Sequence, residues 1–261
     1  MTEKELKLQY KTERRQTKHD YRLTQKQQKT DYISKRDAFR AEVEQSADFQ
    51  KSNPPKRSVL EEIGNAVTHG AGAVFAIVAF ILMLSASSTP AQTWSACIYF
   101  FGLFVLFSMS CLYHAFRHGS GVKRLFRRFD YSSIYLLIGA TFAPILLCKI
   151  GGTFGLIFFI LQWLIIATGI TFIGVFGPSK LKPLHMTLYI LLGWSGLLLL
   201  PHLITTDFLF FLYILIGGVV YSVGIIPFAL KKGCAHFIWH FFVLAGAVVQ
   251  WIGIYLYIYI A

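Results

Sequence analysis

Charge is what this chain has least of, and most of it sits at one end. Only 15% of the 261 residues are Asp, Glu, Lys or Arg, and 55% are apolar. Soluble globular domains carry about 25% charged residues. Residues 1–57 hold 15 of the 25 Lys and Arg and 9 of the 13 Asp and Glu. The remaining 204 residues have 10 basic and 4 acidic side chains, too few to cover a water-soluble fold of that size. Cysteine is sparse as well. Cys97, Cys111, Cys148 and Cys234 include no CxxC pair, which argues against a disulfide framework or a zinc knuckle. Residues 1–57 lack an apolar run, so no cleavable signal peptide is expected. The net charge of +12 comes without an aromatic-basic RNA motif or a DNA-reading helix pattern. Membrane lipids are therefore the expected partners, and nucleic acid is not.

What is present is a series of long apolar runs. A membrane helix needs about 20 mostly apolar residues. Between Glu62 and Arg117 lie 54 residues without a charged side chain, enough for two spans around a turn at Ser87-Ser88-Thr89-Pro90-Ala91-Gln92-Thr93. Asp130 to Lys149 encloses 18 uncharged residues, Lys149 to Lys180 encloses 30, Lys182 to Asp207 encloses 24, Asp207 to Lys231 encloses 23, and 29 follow Lys232. The expected architecture is all-α, a polytopic bundle of seven transmembrane helices near 65–85, 94–115, 130–148, 153–176, 185–203, 208–229 and 235–258. The runs are too long, and alternate too little, for membrane strands.

Lys and Arg in the loops set the orientation. Loop 2–3 carries Arg117, Lys123, Arg124, Arg127 and Arg128, loop 4–5 Lys180 and Lys182, and loop 6–7 Lys231 and Lys232. The other side has Lys149 alone, so the N-terminus is expected in the cytoplasm and the C-terminus outside. Residues 1–57 read as a polar cytoplasmic tail ahead of a membrane domain over 58–261. The tail has too little apolar surface for a core and is expected to be disordered or to form a surface helix against anionic lipid. Internal repeats are not evident.

Polar residues inside membrane spans are costly and point to function. Glu62, Asn65 and His69 share one face of span 1. Glu62 suits a helix start as well as a functional site, and Asn65 and His69 suit hydrogen bonds between helices. Ser110 and His114 lie four apart at the end of span 2. Asp130 opens span 3 after Arg127-Arg128-Phe129. His236 and His240, at i and i+4, open span 7 as a common metal-binding pair. His185, His202 and Asp207 look interfacial, and His118 looks solvated. With the spans oriented as above, Glu62, His114, Asp130 and His236 fall at one depth on one side. Three histidines and a water form the ligand set of an open catalytic zinc site, and imidazole suits zinc better than magnesium or calcium. Asp130 can orient a ligand or take a proton, and Ser110 can hydrogen-bond to the same water or to substrate.

At these residues the chain resembles the hemolysin III proteins of bacteria, within the progestin and adipoQ receptor family. The matching pieces are Glu61-Glu62-Ile63-Gly64-Asn65-Ala66-Val67-Thr68-His69-Gly70, Ser110-x-x-Tyr113-His114-Ala115-Phe116, Asp130 with Ile134 to Pro144, and His236-Phe237-Ile238-Trp239-His240 through Gly246. The resemblance covers about residues 58–258 and leaves out the tail. It implies seven helices with a cytoplasmic N-terminus in the bacterial plasma membrane. It also implies an intramembrane zinc near the cytoplasmic face, held by His114, His236 and His240 beside Asp130 and Ser110. Tyr131 stands where many bacterial members would carry His. Three functions compete: a zinc-dependent, ceramidase-like hydrolase of lipid amides or esters serving lipid homeostasis, a receptor or sensor with structural zinc, and a cytolysin. No water-soluble stage of a pore-former is visible.

Overall fold

The computed structural model describes residues 2–45, 53–230 and 232–261. Met1, residues 46–52 and Lys231, one of the basic residues counted above for loop 6–7, lie outside them. The chain divides into two units, Met1–Lys51 and Ser52–Ala261. The first holds one long helix, α1 (Glu3–Gln45), whose described side chains are all exposed. The second holds seven helices long and apolar enough to cross a membrane. They are α2 (Val59–Ala86), α3 (Pro90–Ala115), α4 (Gly121–Ile150), α5 (Gly152–Phe176), α6 (Lys182–Thr206), α7 (Phe208–Ala229) and α8 (Ala235–Ile260). There is no strand among the described residues. The chain is thus an all-α, seven-span membrane protein.

Local chemistry sets the helix ends, and spans 1 and 3 begin six and nine residues earlier than hydropathy alone indicated. Ser58 caps α2 by accepting from the Glu61 amide, and Glu61 and Glu62 occupy its first turn, where the helix dipole favours negative charge. Helix α2 therefore starts six residues before position 65. Ser120 caps α4 by accepting from the Lys123 amide, so Lys123, Arg124, Arg127 and Arg128 form the first turns of span 3 rather than a loop. The capping box of Thr89 and Gln92, with Pro90 at the first helical positions, starts α3. Helix α4 ends in a π-helical turn, Ile145–Ile150, just past Pro144, which has no N–H to give. Helix α6 is interrupted by a 3-10 segment at Ser195–Leu199.

The helices close into a ring. Helix α2 packs between α3 and α8, α3 pairs extensively with α4, and α7 with α8, while α6 meets α4, α5 and α7. Small residues let the backbones approach, the usual basis of packing where lipid removes the hydrophobic drive between helices. A Cβ on Gly102 would run into Ala140 and sit 2.8 Å from the Leu136 carbonyl. One on Gly72 would run into the Phe107 ring. Aliphatic side chains such as Leu156, Ile160 and Leu164 on α5 point outward, as a lipid-facing surface requires. At the end of the bundle away from the α2 start, Gln92 Nε2 donates to the Ile258 carbonyl at 2.6 Å, and Lys149 pairs with Asp207 at 2.7 Å.

Candidate metal centre

Four helix ends meet where α2 begins. The starts of α2 and α8, the end of α3 and the third turn of α4 bring Glu62, Asn65, His69, Ser110, His114, Asp130, His236 and His240 together. Three of these form one group able to hold a metal ion: His114, His236 and His240, whose ligand atoms all lie within 4.8 Å of one another. The i,i+4 spacing on α8 turns both of its imidazoles to the same side. His236 Nε2 stands 3.4 Å from His114 Nε2 and 3.3 Å from His240 Nε2.

These separations suit one small cation. Zinc bound at about 2.0–2.1 Å in a tetrahedral site holds its nitrogen ligands about 3.3–3.4 Å apart. The opposite ring nitrogens also fit. His114 Nδ1 lies 2.5 Å from Glu62 Oε2, and His240 Nδ1 lies 3.2 Å from the Asn65 carbonyl. Each acceptor fixes the proton on Nδ1, which leaves the Nε2 lone pair free for a metal. The residues present therefore fit a metal ion.

Glu62 is itself held. Lys123 Nζ donates to Glu62 Oε1 at 2.9 Å and to the Phe116 carbonyl at 3.0 Å. Lys123 is fully buried and sits 4.9 Å from the Tyr113 ring centre. Its charge is not a loop charge. It secures the carboxylate that orients His114 and also caps the end of α3. The sequence left Glu62 divided between cap and function; here it stands in the first turn of α2 and also contacts His114. Asn65 contributes its backbone carbonyl to His240; its side-chain Nδ2 stands 3.3 Å from His114 Nδ1, whose proton goes to Glu62. His69 stacks on the His240 ring with centroids 3.7 Å apart and planes 21° from parallel, a plate behind a candidate ligand.

The group opens onto a cavity of about 200 Å³. His236, His240, Asp130, Ser110, Tyr113 and Arg57 line one end. From there the walls are mostly aliphatic and aromatic, down α4, α6, α7 and α8 to Leu203 and Phe211. Arg57, which the sequence assigned to the tail, is thus part of the site's surroundings. Pro54 just before it is buried, and the Asn53 carbonyl accepts from Arg127 at 3.2 Å.

Other polar residues lie around the bundle. His185, near the start of α6, is packed inside the protein at 1% exposure, its Nδ1 3.0 Å from the Tyr135 hydroxyl. The side chain needs a partner once the start of α6 packs against α4, and Tyr135 supplies one. His118 lies 3.1 Å from the Pro54 carbonyl, although the residue is exposed. His202 is exposed. Tyr131 lines the cavity and accepts at its backbone carbonyl from the Tyr189 hydroxyl at 2.7 Å.

The fold and site define a multi-pass membrane protein with a buried three-histidine metal-type centre at one end of a seven-helix bundle. The particular family follows from comparison. The family profile described as Haemolysin-III related matches residues 57–251, and the chain belongs to that family. It is 34% identical to Hemolysin-3 of Bacillus cereus over 206 residues, 77% of this chain and 93% of that protein. It is 30% identical to the Hemolysin-3 homolog of Bacillus subtilis (strain 168), over 77% of this chain and 95% of that one. The human Monocyte to macrophage differentiation factor is 31% identical over 78% of this chain and 87% of its own length.

Proposed function

We propose that this chain is a zinc-dependent hydrolase of membrane-lipid amides or esters. One observation carries the reading: three imidazole nitrogens converge at the end of an apolar cavity that also presents Asp130 and Ser110. His114, His236 and His240 would hold a zinc ion, which when bound would supply Lewis-acid chemistry and ease deprotonation of water at neutral pH. The chain's own groups do the rest. Glu62 and the Asn65 carbonyl keep Nε2 of His114 and His240 unprotonated. Asp130, in the cavity wall, takes the proton from the attacking water and passes it to the leaving nitrogen or oxygen. Ser110, one turn before His114, hydrogen-bonds to the substrate carbonyl or to that water. The aliphatic walls take an acyl chain, and Arg57 meets the polar head group. With the Lys and Arg asymmetry of the loops, the site lies in the cytoplasmic leaflet of a bacterial plasma membrane.

The test joins metal and product. The purified protein should hold about one zinc per chain, as a single tetrahedral site requires. Incubation with ceramide or phospholipid should release fatty acid, and chelation should abolish both zinc and release. Asp130→Ala should retain most of the zinc and lose turnover, by at least the roughly 10²-fold typical of a missing general base. Stoichiometric zinc in the triple His→Ala chain would refute the site. Zinc that leaves with no change in any lipid product would keep the site and favour the receptor reading, in which zinc is structural and lipid binding shifts the bundle. The relative named Adiponectin receptor protein, of Drosophila melanogaster, is the comparison on that side.

A further inference from the structure

Helix α1 runs unbroken from Glu3 to Gln45, and along it side chains recur with a period of eleven residues. Tyr10, Tyr21 and Tyr32 recur at that spacing, and Val43 follows in the same series. Leu6 and Phe39 stand four residues before Tyr10 and Val43, on the same face. Eleven residues make three turns at 3.67 per turn, close to the 3.6 of a straight helix, so the series forms one slowly drifting stripe. Tyr10, Tyr21 and Tyr32 are 65–68% exposed.

The charges flanking the stripe are sorted by sign. Lys7, Lys18, Lys29 and Arg40 each precede their stripe residue by three positions and lie about 60° to one side. Gln9, Asp20, Asp31 and Glu42 each precede it by one and lie about 100° to the other side. One flank is therefore basic and the other largely acidic along the helix.

We infer that α1 pairs with α1 of a second copy of this chain, in parallel and in register, as a right-handed coiled coil of eleven-residue repeats. The charge pattern selects both partner and direction. A two-fold axis along a parallel pair sets the basic flank of each helix against the acidic flank of the other, whereas an antiparallel pair sets like against like. Two copies inserted the same way in one bilayer carry α1 on the same side, where a parallel pair can form. A lipid surface fits less well. An interfacial helix carries basic residues across its polar face, and here an acidic row would meet anionic head groups. An eleven-residue repeat in turn imposes a right-handed supercoil. The stripe is thin, with Thr17 and Gln28 in it. The pair therefore depends on the high effective concentration that co-insertion gives.

Cysteine cross-linking in the full chain tests this in proteoliposomes, with Cys97, Cys111, Cys148 and Cys234 replaced by Ser. Single variants Tyr10→Cys, Tyr21→Cys and Tyr32→Cys should each form disulfide-linked dimers several-fold more than Leu8→Cys, His19→Cys and Thr30→Cys on the far face. The yield should be the same in phosphatidylcholine and in phosphatidylglycerol vesicles. In the Tyr21→Cys chain, adding Lys18→Glu and Lys29→Glu should reduce the dimer several-fold, and further adding Asp20→Lys and Asp31→Lys should restore it. Equal cross-linking on both faces, cross-linking at one tyrosine position alone, or no recovery in the charge-exchanged chain would overturn the inference. So would stripe cross-links that vanish as phosphatidylglycerol is raised, which would assign α1 to the lipid surface.

Discussion

At the scale of single residues, the candidate centre depends on groups that are not themselves candidate ligands. Glu62 holds His114 Nδ1 at 2.5 Å and is in turn held by Lys123 at 2.9 Å. Removing such a supporting carboxylate typically costs about 10–100-fold in metal affinity. Glu62→Gln should therefore weaken zinc binding by about that factor in competition with a chelator, while circular dichroism stays helical. A neutral amide can still accept from Nδ1, so the loss reports the charge. Affinity unchanged within error would reduce Glu62 to a helix-start carboxylate. The three histidines could be read from sequence because two of them sit at i,i+4 and all three fall at one depth. Glu62 could not be assigned, because a carboxylate in a first turn already has a generic explanation in the helix dipole. Lys123 was misread as a loop charge, since hydropathy counts charges and is blind to which neighbours a side chain reaches.

At the scale of elements, the number of helices was legible and their starts were not. Twenty apolar residues are needed to cross a bilayer, and that requirement shows in composition. The Ser58 and Ser120 caps admit charged first turns, which composition assigns to loops. The α3–α4 pairing was also invisible, because it rests on a missing side chain. Gly102→Val should destabilise the bundle by about 1–3 kcal/mol or more, the range for overpacked cores, seen as a lower melting temperature in detergent. The same change at Gly218, which has open space around it, should do little. At the opposite end of the bundle, Asp207 caps α7 and pairs with Lys149. Partial burial raises the Asp207 pKa, but the Lys149 hydrogen bond, the Phe210 amide and the Lys149 charge outweigh it and leave the carboxyl below its ordinary value. A lowered carboxyl stabilises the fold fully above its unfolded pKa of about 3.9, and that contribution is lost as pH falls through the lower folded value. Asp207→Asn should therefore lower stability at neutral pH and flatten the acid limb below about pH 4. An acid limb unchanged in the variant would mean the pair contributes nothing.

At the scale of the whole molecule, the question is where the membrane unit begins. Composition puts the boundary after residue 57, where charge density drops. The structure divides the chain after Lys51, because residues 53–57 already belong to the bundle through backbone and side-chain contacts that carry no apolar signal. The Asn53 carbonyl accepts from Arg127, Pro54 is buried, and Arg57 pairs with Glu61 at 3.8 Å beside the cavity. Two truncations separate these boundaries. A chain beginning at residue 52 should insert, keep its thermal stability and keep its metal, since the described side chains of α1 are all exposed. A chain beginning at residue 59 should lose Ser58 as the cap of α2, at about 1 kcal/mol. It should also leave Arg127 without its Asn53 acceptor and remove Arg57 from the cavity mouth. It should melt lower than the longer truncation, and its zinc should exchange faster, because the α2 start positions both Glu62 and the Asn65 carbonyl. Equal stability and equal zinc exchange in the two truncated chains would return the boundary to residue 57 and leave residues 53–57 without a structural part in the site.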